Sequence, residues 1–364
     1  MWSVQHLRRL YIEEAPVFSS SFLFLFATMN SISLYSGPRP EETVTYKDWV
    51  TGCDNVRNCA SVALEVGPSG TDGRTDHLEI MIEQPLARHL GPSVSLKFPF
   101  SVAPQPDLRL FVDQNEVKIP APVAQRIKIE GAAARKLIGQ MLKGNWALLL
   151  DVEGKTVARA SLSGLTASLL RVDEQQGKVG TLGALVRPGK RVPFDDLPGY
   201  SVSLTRPSKS LRPPAMLSAA AIAGLRANDQ CTTDVDTPAT PQIVRLDSDN
   251  SMAIMPWRCG NGAYNLYSNI LIINGFGEVR PATFDYDNGI AGDGPSNVLV
   301  NVAWDNDKRV LEGFARHRGI GDCGRVDRYI WNGDKFMLSE QLVMPECRMA
   351  FDRIRTWKVD VVDR

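Results

Sequence analysis

From Tyr46 to about Val186, short apolar runs alternate with turn residues, a pattern of strands rather than helices. Ser61–Val66 ends at Gly67-Pro68, and His77–Ile82 follows the Thr71-Asp72-Gly73 turn. Val94–Phe98 and Leu108–Val112 read as further strands. Ala132–Lys143 breaks the rhythm: Leu137, Ile138, Met141 and Leu142 gather on one helical side, and Gly144 offers a left-handed stop. Strands resume with Trp146–Leu150, turn at Glu153-Gly154 and return through Val157–Leu162. Residues 46–186 therefore predict a β-rich domain carrying one short helix.

Residues 37–45 read as a mobile lead-in to that domain. Residues 187–227 lose periodicity and hold Pro188, Pro193, Pro198, Pro207, Pro213 and Pro214. This segment is net basic, which is compatible with touching anionic envelope polymers, although a solvated connector is the simpler expectation. Its end, Met216–Ala227, predicts a short Ala-rich helix. Residues 228–364 return to strands: Ile270–Ile273 turns at Asn274-Gly275, Val298–Trp304 at Asp305–Asp307, and Tyr329–Trp331 at Asn332-Gly333. Trp304–Lys308 and Trp331–Lys335 look alike, through either a repeated hairpin or shared turn chemistry. The expected fold is mainly β. Two β-rich domains are joined by a Pro-rich linker, the second a hairpin meander or propeller-like.

Composition narrows the possible functions. Lys plus Arg equals Asp plus Glu at 41 each, which argues against a dedicated nucleic-acid binder. At the amino terminus, Arg8 and Arg9 precede an apolar run from Val17 to Met29. That run is too short for a bilayer core of about 30 Å and suits a signal peptide over residues 1–33. Glu13 and Glu14 are unusual in such a segment, and a buried helix or uncleaved anchor is the alternative. Cys53, Cys59, Cys231, Cys259, Cys323 and Cys347 make an even set. In an exported chain this indicates disulfides, and sequence proximity pairs them in that order. Periplasmic or secreted localisation follows from the two readings together; six buried thiols in a cytosolic chain is the competing one.

Chemical motifs do not rise above this background. Gly319–Gly324 satisfies G-x-G-x-x-G, yet a strand-like segment follows it where a dinucleotide site requires a helix. Counting from Asp285 puts Ile290 and Ser296 where a calcium loop needs Gly and Glu, so Asp285–Gly289 and Asp293 read as turn formers. His77, His89 and His317 lack a second histidine at ligand spacing. His317, between Arg316 and Arg318, would suit an anion-binding surface or be an ordinary strand residue. No catalytic residue, cofactor or metal ligand is assigned.

The string Tyr46-Lys47-Asp48-Trp49-Val50-Thr51-Gly52-Cys53-Asp54-Asn55, followed by Cys59, resembles the exported bacterial proteins grouped as domain of unknown function 1176. Cys259-Gly260, Tyr264-Asn265, Asp322-Cys323-Gly324, Trp331-Asn332-Gly333 and Cys347-Arg348 carry the same resemblance. Met349-Ala350 departs from it where glycine is expected. The first domain also resembles invasion-associated locus B proteins, through Leu137–Gly144 and Ser161-Leu162-Ser163-Gly164-Leu165. That likeness implies a β-sandwich-like domain and an envelope location. The leading functional expectation is a non-enzymatic module that binds an envelope or host protein or a glycan. Alternatives are a periplasmic glycan-acting hydrolase and an inhibitor of a lysozyme-like enzyme, for which the loop Asp54–Asn58 is a candidate.

Overall fold

Strands carry most of the fold, and the computed structural model describes them over residues 37–67, 76–87, 89–192, 200–226, 240–257, 261–289 and 296–364. The expected signal segment lies outside these residues. The first sheet has six antiparallel strands, in the order Val44–Tyr46, Trp49–Cys53, Cys59–Ala63, Glu79–Gln84, Ser93–Lys97 and Arg126–Glu130. A second sheet runs Thr156–Ser161, Trp146–Leu150, Arg109–Val112 and Asn115–Val117. Between them lies a core built from Trp49, Leu78, Ile80, Leu96, Leu110, Ile127 and Leu149. Alternation sends one set of side chains inward along each strand.

Two helices close this core where the sequence pattern predicts one. Gly131–Met141 is the expected helix, burying Ala134, Leu137, Ile138 and Met141. The second, Leu165–Gln175, buries Leu165, Ser168, Leu169 and Val172. Thr166 and Ser168 dilute its apolar stripe, so the strand-like run just before it dominates the sequence pattern. The chain enters this helix through Gly164 at φ 98°. A Cβ at Gly164 would lie 1.9 Å from the Tyr46 carbonyl oxygen, so only glycine fits that approach.

The Pro-rich segment is partly woven into the fold, where a solvated connector is the simpler expectation. Its strand Ser203–Arg206 pairs in parallel with Asp360–Asp363. Val202 is buried in the second core and Leu204 packs against it, an apolar contribution that the prolines around it obscure. The basic excess also finds partners, since the Arg206 guanidinium bonds Asp363 at 2.6 and 3.2 Å. Ala219–Arg226 forms the expected helix.

The remaining strands form two antiparallel sheets. One contains Gln242–Arg245, Ser251–Pro256, Tyr267–Ile273 and Val279–Pro281, with Val298–Val300 paired to Tyr267–Ile273. The other is a five-stranded meander: Ala303–Asp305, Val310–Arg316, Gly324–Trp331, Phe336–Met344 and Ile354–Lys358. Leu311, Tyr329, Trp331, Phe336, Leu338 and Trp357 from the meander share a core with Met252, Ile270 and Ile272. The two similar turns use one device. Asp305 Oδ1 accepts from the Asp307 and Lys308 amides, and Asn332 Oδ1 from the Asp334 and Lys335 amides. Side-chain turn chemistry therefore accounts for their likeness.

Among the described residues, no helix is long and apolar enough to cross a membrane.

Candidate functional site

The first sheet is covered on both faces at one end, which explains why Trp49–Cys53 and Cys59–Ala63 are buried at every position. Trp49 points into the first core, and its indole Nε1 donates to the Ser161 carbonyl at 2.9 Å. Val50, its neighbour, points the other way and joins Ala60, Val62, Leu64, Met344, Ala350 and Ile354 in a separate apolar seam. This seam unites the outer face of the first sheet with the C-terminal strands.

The distinctive segment around Trp49 is therefore a docking element. Asp48 receives a bond from Arg348 at 2.7 Å. Gly52 faces Ile354 so closely that a Cβ there would stand 3.1 Å from its Cγ2. Asp54 is buried, accepts from the Val56 and Asn58 amides, and takes Arg355 Nε at 3.0 Å. Asn55 accepts from the Lys358 amide at 2.8 Å and donates to the Lys358 and Tyr200 carbonyls. The Asp54–Asn58 loop thus holds the chain together, and its first two residues are not exposed for insertion into another protein's cleft.

Cys53 is bonded to Cys59, its cross-strand partner, and Cys323 to Cys347. Cys231 and Cys259 lie outside the described residues.

Further along the same outer face the seam opens. Cross-strand partners share a face, which places Glu79, Lys97 and Arg126 in one row, Met81, Ser95 and Lys128 in the next, and Glu83, Ser93 and Glu130 in the third. Asp352 anchors the first row: Arg126 grips it with bonds of 2.8 and 2.9 Å, and Lys97 stands 3.8 Å away. Burial and the neighbouring Asp352 carboxylate push the Glu79 carboxyl up from its ordinary value, while Lys97 opposes the shift. Beyond this row lies a concavity of about 680 Å³, walled by Glu83, Ser93, Lys128 and Glu130 on one side and Leu342, Arg353 and Arg355 on the other.

A second concavity, of about 620 Å³, lies along the outer face of the meander. Trp304, Glu312, Arg328, Glu340 and Lys358 line it, and Arg355 borders both hollows. This pair of hollows, with Arg355 as their shared border, is the furrow. The Arg328 guanidinium holds Glu312 at 2.7 Å and Glu340 at 2.5 Å. Lys128 is paired with Glu130 at 2.6 Å, and the Ser93 hydroxyl donates to Glu83 at 3.0 Å.

The residues singled out by sequence are scattered. Gly319–Gly324 connects two adjacent strands of the meander, with the Gly321 amide bonded to the Arg318 carbonyl. No helix follows it, as the sequence requires. Asp285 accepts from the Leu338 amide, Asp287 from the Gly289 amide, and Asn288 donates to the Val298 carbonyl. Asp287 shapes a local turn, whereas Asp285 and Asn288 tie this segment to distant strands, and Asp293 lies outside the described residues. His89 borders the furrow. His77 is buried, and burial holds its imidazole down at about 4, assisted by Arg348 and opposed by a bond to Ala63 and by Asp76. His317 is exposed, with a ring nitrogen within 4.8 Å of the Cys323 and Cys347 sulfurs. Those sulfurs are bonded to each other, so neither is a thiolate available to a metal. Sequence reading missed Lys128, Arg353 and Arg355, because single charged residues on distant strands carry no local signal.

Comparison with known proteins agrees with the motif reading. The chain is 24% identical over 359 residues to the uncharacterized protein YpfG of Escherichia coli strain K12, covering 89% of this chain and 93% of that protein. A solved structure, invasion associated protein B from Bartonella henselae, is 20% identical, covers 37% of this chain and 99% of its own, and superposes with a TM-score of 0.29. The model of a protein family of unknown function, DUF1176, matches residues 43–362. That match spans both cores and the seam between them, and the chain belongs to this family.

Proposed function

We propose that this chain is an exported binding module of the bacterial envelope, holding its ligand along the furrow that passes Arg355. The two hollows sharing that residue carry the reading. Together they offer a long, open, mixed-charge surface, suited to an extended polar ligand rather than to a small molecule enclosed by apolar walls. Binding is favoured over glycan hydrolysis because the furrow's carboxylates are already engaged. Arg328 bridges Glu312 and Glu340, and Lys128 holds Glu130. A hydrolase needs one carboxyl free to meet the glycosidic oxygen and another facing the sugar ring. Two disulfides support export, since such bonds persist in oxidising compartments.

Photo-crosslinking in intact bacteria tests this reading. A crosslinking residue at Lys128 or Trp304, both on the furrow, is expected to capture one discrete partner. The same residue at Phe276, which is 94% exposed and outside the furrow, is expected to capture none. Equal capture at all three positions, or none at any, would overturn the furrow as the site. Non-reducing peptide mass spectrometry on a periplasmic fraction checks the export half separately.

A further inference from the structure

We propose that Arg353, seconded by Arg316, seats an oxyanion, the carboxylate or phosphate group of the furrow's ligand. The inference rests on the furrow reading and adds the chemistry of what it grips. Other arginines around this face have carboxylate partners, as does Lys97, whereas Lys358 at the far hollow makes no ion pair among the described residues. Arg126 and Lys97 face Asp352, Arg328 faces Glu312 and Glu340, Arg355 faces Asp54, and Arg318 faces Asp322. Among the described residues, Arg353 and Arg316 make no ion pair at all.

Arg353 gives one Nη to the Gly321 carbonyl at 2.6 Å and the other to the Phe351 carbonyl at 3.2 Å. Its Nε is buried without a hydrogen-bond partner, as is the Nε of Arg316. Both guanidiniums lie against the Phe314 ring, 4.4 Å and 5.1 Å from its centroid. An aromatic face orients a guanidinium but supplies no counter-charge. Burial lowers the proton affinity of Arg353 and the nearby Arg316 lowers it further, while Glu79, Glu312 and Asp322 oppose this. Those three carboxylates are committed elsewhere: Glu79 to Lys97 and the Asp352 amide, Glu312 to Arg328, and Asp322 to Arg318 and the Met349 amide. Two partly desolvated guanidiniums without a carboxylate are costly to keep. An incoming oxyanion relieves that cost and matches the planar donor geometry of arginine. Arg353 lines the furrow, so a ligand can reach it.

Titration of the full chain with inorganic phosphate, at ionic strength held constant with chloride, tests the seat by calorimetry. Saturable binding is expected, at least about tenfold weaker in Arg353→Gln and weakened to a lesser degree in Arg316→Gln. Lys118→Gln serves as the control and should bind as the parent does, because Lys118 is exposed and lies outside the furrow. Arg353→Lys should also bind weakly, since it keeps the charge but loses the planar donor set. If Arg353→Gln fails to fold, Arg316→Gln and the thermal unfolding shift of the parent with phosphate decide the matter. Equal heats for phosphate and chloride, or Arg316→Gln and Arg353→Gln both binding like the parent, would overturn the proposal. Titration with acetate separates a carboxylate seat from a phosphate-selective one. Arg353-dependent phosphate binding without crosslinks at Lys128 or Trp304 would leave the seat standing and sink the furrow reading. Crosslinks without phosphate binding would do the reverse.

Discussion

At the end of the seam beside the Lys47–Asn55 segment, Val50, Val62, Met344 and Ile354 meet in a fully buried cluster. A few residues along the same pleated faces, Lys128, Glu130, Arg353 and Arg355 border open space. One pair of sheet faces thus serves two ends. Where both surfaces are apolar they expel water and fuse the two cores; where both carry charges they stand apart and leave a furrow. A strand contributes to each according to which rows of its pleat fall at which end. The distinctive motif belongs to the closed end, so its unusual residues report on assembly, whereas the open end is made of ordinary charged side chains.

The sharpest way to break this comparison is Ile354→Ala. If the seam is a true core, the loss should be about 2–5 kcal/mol by urea unfolding, similar to that of a core position such as Leu96. A loss near zero would make the seam a loose contact.

Legibility in the sequence divides along the same line. Trp146–Leu150 falls where its apolar run predicts, because a short continuous apolar run bounded by Gly144-Asn145 and Asp151 marks a strand by its length and its flanks. The closed end is marked by Lys47–Asn55, a segment in which Asp48, Asp54 and Asn55 each bond a residue of the C-terminal strands or the segment before them. The helix Leu165–Gln175 is hidden because Ser168, which is fully buried, reads as polar. Its hydroxyl donates to the Ser61 hydroxyl at 2.9 Å, a contact between residues 107 apart in sequence. The furrow is invisible for a related reason. Lys128 and Arg353 meet only through sheet register and docking, and nothing local to either encodes that meeting.

A pH titration is the next strongest test of the closed end, where Arg348 crosses to the first sheet beside His77. Its imidazole drops from 6.5 to about 4 in the folded chain. Below pH 6.5 the unfolded chain therefore takes up a proton that the folded chain refuses. Stability from this group is fully present above pH 6.5 and is lost as pH falls toward 4, by up to about 3 kcal/mol. In His77→Asn that part of the pH dependence should flatten; an unchanged profile would show that the site admits water.

Asp352→Asn probes the boundary between the two ends. It removes the carboxylate that Arg126 and Lys97 share. Because the Arg126 side chain is 41% exposed, screening limits the expected loss to about 1–2 kcal/mol. At the open end, Lys128→Ala should change stability by about 0.5 kcal/mol or less, since its ion pair is exposed. A loss there as large as that of Ile354→Ala would erase the distinction between closed and open ends.

The partners of the Lys47–Asn55 segment also set an order of events. The chain makes Asp54 early, yet Arg355, which neutralises it, is separated from it by 301 residues in sequence. Asn55 waits for Lys358, and strand Ser203–Arg206 waits for Asp360–Asp363. Residues up to Leu185 supply the buried side chains of the first core, but the bonds of Asp48, Asp54 and Asn55 across the seam need Arg348, Arg355 and Lys358. Closing loops of that length is slow compared with forming a local hairpin. Until the C-terminal strand arrives, Val50, Val62 and the buried aspartate remain uncovered. A folding chain therefore carries an exposed, half-finished face until these distant strands reach it, so closure of the seam is set by long-range pairing rather than local collapse.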